Sequence, residues 1–124
     1  MSITRCAASV APIVTLTRHG GLCVTGSECR SAWRIDDATI SGDGYVPRRL
    51  TTTERAALLR AIDAIDATYL RAHPFKGTCP VAYDGQESIY RFRGFARSLP
   101  SCTYDLRGVG AVQVAERLFG TLKP

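Results

Sequence analysis

The order of apolar and polar positions along the chain changes period three times, and each change predicts an element. Residues 13–18 open as an apolar stretch that reads as a strand. After a glycine-rich segment, residues 30–36 alternate, with Trp33 and Ile35 on one face and Arg30, Arg34 and Asp36 on the other. That is the period of a half-buried strand. Asp36 and Asp37 turn the chain, residues 39–41 extend again before Gly42, Asp43 and Gly44, and Tyr45 and Val46 continue. The pattern predicts a meander of two or three antiparallel strands.

The period then becomes helical. Leu58, Ile62, Ile65 and Tyr69 form a stripe that Leu59 and Leu70 widen, while Arg55, Arg60, Asp63 and Asp66 take the other side. Thr51 and Glu54 have the spacing of a capping box, in which each side chain reaches a backbone N–H at the helix start. One helix is predicted from about residue 52 to about 71, ending before Pro74, whose ring disfavours helical geometry just upstream. Residues 75–81 read as loop, and Asp84 and Gly85 as a turn. Residues 88–93 alternate, with Tyr90 and Phe92 opposite Arg91 and Arg93; residues 94–100 connect, and residues 101–106 alternate again. Val112, Ala115, Phe119 and Leu122 mark a last helix from about 109 to about 122. The expected architecture is one α+β domain over residues 11–124 behind a flexible leader, residues 1–10. It has an antiparallel sheet of four to five strands with two helices on one face, in the order βββ-α-ββ-α.

Composition narrows the function classes. The 124 residues suit a single domain with its own core. The net charge of +5 favours acidic surfaces, but the basic residues are scattered. Arg48 with Arg49, and Arg91, Arg93 and Arg97, are the nearest clusters, and neither is a basic stripe interleaved with aromatics. Nucleic acid is therefore not the expected partner. No run approaches the ~18 apolar residues of a membrane span. The first twelve residues lack the apolar centre of a signal peptide, so an exported chain is expected to have lost its signal.

Export is suggested by the five cysteines, a high load for a reduced compartment. Leaving one unpaired allows fifteen two-bridge patterns. The expected pairs are Cys23–Cys29, which flank a short glycine-containing loop, and Cys79–Cys102, with Cys6 odd. Pairing of Cys6 with Cys23 or Cys29 is the main rival. The corresponding location is extracellular or periplasmic.

Catalytic chemistry finds little footing. His19, Cys23 and Cys29, with Cys79 or His73 as a fourth ligand, could be drawn as a zinc set, but the spacing is not that of structural zinc sites, and a disulfide is the simpler reading. Asp36, Asp37 and Asp43 do not follow a calcium loop. Cys23 beside His19 is the one local thiol–base pair, and oxidation would silence it. No Gly-x-Ser-x-Gly elbow occurs, no glycine-rich phosphate loop leads into a helix, and Asp84 and Glu87 read as solvated turn carboxylates rather than an acid–base pair. The expectation is a non-enzyme without metal or cofactor. Trp33, Tyr90, Phe92 and Tyr104 read as core, leaving Tyr83, beside the Asp84 turn, as an exposed aromatic able to anchor a protein partner.

The run Val14, Thr15, Leu16, Thr17, Arg18, His19, Gly20, Gly21, Leu22 resembles the opening strand and loop of the emfourin-type inhibitors of thermolysin-like metalloproteases, small bacterial α+β proteins. The helix opening from Leu50 to Arg60 also resembles theirs, while the cysteines, the Cys23–Cys29 insertion and the segment 86–97 depart from the pattern. The resemblance implies a protein partner, a metalloprotease, bound through residues 17–24. Gly20 and Gly21 would permit close backbone approach, Arg18 or His19 would supply a polar contact and Leu22 an apolar one, and a Cys23–Cys29 bridge would pin the loop base. Two readings stand beside it. One is an exported structural or interaction domain of an envelope complex, using a basic strand face at Arg91, Arg93 and Arg97. The other is a plain glycine-rich strand exit stabilised by a disulfide.

Overall fold

In a computed structural model, which describes residues 11–23 and 28–124, the chain forms one six-stranded antiparallel sheet with three α-helices. The leader and Cys6 lie outside the described residues. The strands are β1 (Val14–Leu22), β2 (Glu28–Ile35), β3 (Thr39–Gly42), β4 (Arg48–Arg49), β5 (Glu87–Phe92) and β6 (Leu99–Pro100). The helices are α1 (Thr52–Asp63), α2 (Ala67–Ala72) and α3 (Gly110–Phe119). In space the strands run β4-β3-β2-β1-β5-β6, so the first strand lies inside the sheet.

Alternation along β1 explains which face is buried. Val14 pairs with Ile35 on one side and Phe92 on the other, and Leu16 with Trp33 and Tyr90. These two rows face the helices. Val14, Leu16, Ile35, Tyr90 and Phe92 are at most 4% exposed, and Trp33 packs against the same core. The intervening Thr17, Arg34 and Arg91 are exposed. From the helices, Leu58 and Ile62 of α1 and Ala111, Val112, Ala115, Leu118 and Phe119 of α3 complete a single hydrophobic cluster.

Several predicted elements change at their edges. The helix expected over 52–71 is two helices. Asp66 caps α2 by accepting a hydrogen bond from the Thr68 N–H at 2.8 Å, and a carboxylate bound to the backbone in this way ends one helix and starts another. The last helix is shorter than expected, although Leu122 beyond it remains buried. The strand expected over 101–106 is absent. The chain turns immediately after β6, with the Thr103 N–H bonded to the Pro100 carbonyl at 3.0 Å, and continues into a 3-10 turn at Leu106–Gly108. The loop before β5 contains a second 3-10 turn, Pro80–Tyr83. Strand β1 also continues past residue 18 and carries the glycine pair inside the sheet.

The capping box forms as its spacing predicts: Glu54 N–H reaches Thr51 Oγ1 at 3.1 Å, and Thr51 N–H reaches Glu54 Oε1 at 3.0 Å. The same carboxylate takes both terminal nitrogens of Arg48 at 3.0 and 2.8 Å, which ties the start of α1 to β4. Arg48 is the main reason that the Glu54 carboxyl is held at about 2, below its ordinary 4.5. The fold favours the charged form, so this contribution is complete above about pH 4.5 and is lost as pH falls towards 2. Glu54→Gln should lower stability at pH 7 and flatten the acid limb of thermal unfolding between pH 4.5 and 2; parallel wild-type and variant profiles of Tm against pH would contradict this assignment.

Candidate functional site

Beyond Leu16 the inner face of β1 turns polar. The third row is Ser31, Arg18 and Ser88, where the strands above it carried aliphatic and aromatic side chains. The half-buried Arg18 donates from Nε to Ser88 Oγ at 3.2 Å, and its guanidinium carbon lies 4.9 Å from the centre of the Trp33 ring. Its neighbour His19 faces the other way, as strand geometry requires. His19 Nε2 lies 2.7 Å from Glu87 Oε1 across the β1–β5 pair, and the second Glu87 oxygen accepts a 3.3 Å hydrogen bond from the Cys102 N–H. Arg18 and His19 thus hold neighbouring strands together on opposite faces of the sheet.

The glycine pair comes next, and its role is packing. The β1–β2 register shifts by one residue between His19 and Leu22, a bulge, and Gly20 and Gly21 adopt φ of 115° and 78°. The turn formed by Pro80–Tyr83 and Asp84 lies directly on them. A Cβ on Gly20 would stand 2.5 Å from the Gly85 carbonyl oxygen and 3.0 Å from Val81 Cγ2, and one on Gly21 would be 3.2 Å from the Asp84 oxygen. Gly20 is buried. The pair is therefore a seat for another segment rather than a projecting loop, which corrects the sequence expectation. The tip of the β1–β2 hairpin, residues 24–27, and the Leu22 side chain lie outside the described residues.

Two disulfides brace this end of the sheet. Cys23–Cys29 closes the β1–β2 hairpin with a Cα separation of 5.2 Å, and Cys79–Cys102 joins the base of the 3-10 turn to the bend after β6 at 5.4 Å. Gly85 N–H bonds to the Pro80 carbonyl at 2.7 Å, and Tyr83 Oη donates to the Thr78 carbonyl at 3.3 Å. Tyr83 is nevertheless 65% exposed. The sequence singled out residues 18–22 and Tyr83 separately, and the structure lays the turn that carries Tyr83 on Gly20 and Gly21 of that run.

A cleft of about 880 Å³ opens on the helix side, between the segment after α2, the start of β5 and the start of α3. Ser88, Tyr90, Ser101 and Tyr104 line it with hydroxyls, and Glu116 and Lys76 bring charges of opposite sign. Burial, with the Glu116 charge as a smaller cause, pushes the Tyr90 phenol up to about 12, so it stays protonated and able to donate. Tyr90 is in the core, as its alternation predicts, and it also lines the cleft, which sequence reasoning missed because residues from four separated segments meet there. No protein family, curated protein or solved structure matches the chain.

Gly20→Ala should destabilise the oxidised protein by about 2 kcal/mol or more, since added bulk meets backbone in a tight contact and φ is positive. Gly44→Ala is the control, with positive φ but nothing within 4 Å of an added Cβ, and its cost should stay near 1 kcal/mol. Equal losses in denaturant unfolding would remove the seat role from Gly20.

Proposed function

We propose that this chain is an exported, non-enzymatic binding protein that engages a protein partner through the disulfide-braced end of its sheet. The observation that carries the reading is Tyr83. It is the most exposed large apolar side chain among the described residues, at 65%, yet its turn is seated on Gly20 and tied by Cys79–Cys102. A rigid, exposed aromatic loses little conformational freedom on binding, and tyrosine is a frequent anchor of protein interfaces. Two disulfides are consistent with an oxidising environment, which supports an extracellular or periplasmic location.

The narrower reading is inhibition of a thermolysin-like metalloprotease. Its support is the resemblance of residues 14–22 and of the α1 opening to emfourin-type inhibitors. In this reading Tyr83 and the hairpin closed by Cys23–Cys29 make the contact, and Gly20 and Gly21 support them from below. Arg18 and His19 act mainly by holding the strands in place. The envelope-complex alternative has less support. Arg93 is engaged by Asp37 at 3.0 Å and Arg97 donates to Tyr104 Oη at 3.3 Å, which leaves Arg91 as a thin basis for a basic docking face.

Titration of the oxidised protein against a panel of proteases that includes thermolysin-like metalloproteases should give stoichiometric loss of activity in that class. Tyr83→Ala should weaken inhibition at least tenfold without lowering Tm. Inhibition unchanged in the variant would exclude Tyr83 as the anchor, and no inhibition of any protease would overturn the inhibitor reading.

A further inference from the structure

Three metal-ligand atoms converge beneath the Tyr83 turn. The sulfurs of Cys79 and Cys102 and a carboxylate oxygen of Glu87 all lie within 4.8 Å of one another. No other cysteine, histidine or acidic residues gather so closely in threes among the described residues. The carboxylate is 15% exposed and held from two sides, by His19 Nε2 at 2.7 Å and by the Cys102 N–H at 3.3 Å. Its two oxygens keep lone pairs beyond those contacts.

We propose that reduction of Cys79–Cys102 converts this corner into a binding site for a thiophilic divalent cation such as Zn²⁺. Cys79, Cys102 and Glu87 are its ligands, and His19 is the residue that orients the carboxylate. A tetrahedral zinc ion with Zn–S bonds of about 2.3 Å and Zn–O bonds of about 2.0–2.2 Å holds its ligand atoms roughly 3.4–3.8 Å apart. The carboxylate oxygen lies within 4.8 Å of both sulfurs, so closing on an ion asks for a shift of about 1 Å from it, while the two sulfurs must separate. Cys79 and Cys102 both lie outside the strands, and their Cα atoms are 5.4 Å apart. The fourth position faces the partly exposed side and takes water, as in zinc sites with three protein ligands. A histidine bound to a ligating carboxylate fixes its direction, the mirror of the usual carboxylate–histidine–zinc arrangement.

The chemistry balances with a dithiol as reductant. Two electrons from the dithiol break the Cys79–Cys102 bond; the dithiol closes to its own disulfide, and two protein thiols form. Metal binding then releases the two thiol protons to solvent and leaves two thiolates on the ion. Metal and disulfide exclude one another at this corner, so the bound ion retards reoxidation. Partner binding by the oxidised protein does not depend on it.

The test uses the Cys6→Ser/Cys23→Ser/Cys29→Ser chain, whose remaining cysteines are Cys79 and Cys102, reduced with dithiothreitol, freed of it under argon and titrated with cobalt(II). The expected result is one cobalt per chain, with near-ultraviolet thiolate charge-transfer absorption and the intense visible bands of a tetrahedral ion, displaced by zinc. The same chain left oxidised should show neither. Glu87→Gln should weaken the affinity at least tenfold and alter the visible bands, and His19→Ala should weaken it roughly tenfold with the charge-transfer band retained. Cys79→Ser should abolish the two-thiolate spectrum. Unchanged affinity in Glu87→Gln would overturn the proposal, since cobalt held by two thiols of an unfolded chain is indifferent to Glu87. Absence of any cobalt spectrum in the reduced chain, with its far-ultraviolet circular dichroism retained, would overturn it as well.

Discussion

Strand β1 is hydrogen-bonded along both flanks, to β2 and to β5, and both faces of the sheet and one of its ends depend on what it carries. Its inward positions read Val14, Leu16, Arg18, and the glycine pair follows in the bulge. The first two bring together the rows Ile35–Val14–Phe92 and Trp33–Leu16–Tyr90, which the helices cover. The third gives a polar row, and Gly20 beyond it gives no side chain at all. One strand therefore passes from core to supporting floor within seven residues, and the last step is what allows the Pro80–Tyr83 turn to lie against the backbone. Burial of Leu16 follows from the pairing register, whereas close approach at Gly20 follows from the bulge that interrupts that register after His19.

Charge is spent mostly on joining elements. Asp37, on the turn between β2 and β3, accepts from Arg93 after β5 and from Arg55 in α1, and these two cations hold its carboxyl well below the usual carboxylate range. Arg48 and Glu54 link β4 to α1 in the same way. Two of the arginines that the sequence grouped as a basic face, Arg93 and Arg97, are engaged inside the molecule.

The parts of the fold that the sequence disclosed rest on short-range physics. The Thr51–Glu54 capping box, the alternation through Trp33 and Ile35 and the apolar stripe of α3 each need only neighbouring residues, and each has its structural counterpart. Cys23 and Cys29 are likewise close enough in sequence to be paired from spacing. What stayed hidden depends on segments that meet only after folding. His19 and Glu87 are 68 positions apart, and nothing local says that they pair. Asp66 could be read as a residue on the polar face of a long helix or as the cap of a second one, and the choice is made by where Leu70 is buried. The glycine pair reads as a strand exit until the turn that rests on it is known. Cys102 sits in an alternating stretch that would suit a strand, but Pro100 and the bridge to Cys79 turn the chain there.

The two outer strands have a consequence for how the molecule behaves in a crowd. β4 and β6 contain two residues each, one pair being adjacent arginines and the other ending in proline. A sheet offers its unpaired N–H and C=O groups to other chains only along its margins, and long, flat, apolar margins are where fibrils and swapped dimers begin. Here one margin is short and carries the exposed Arg49, and the other lacks a donor where a neighbour would need it. A concentrated solution of the folded protein should therefore remain free of strand-to-strand polymers, with self-association left to side-chain surfaces.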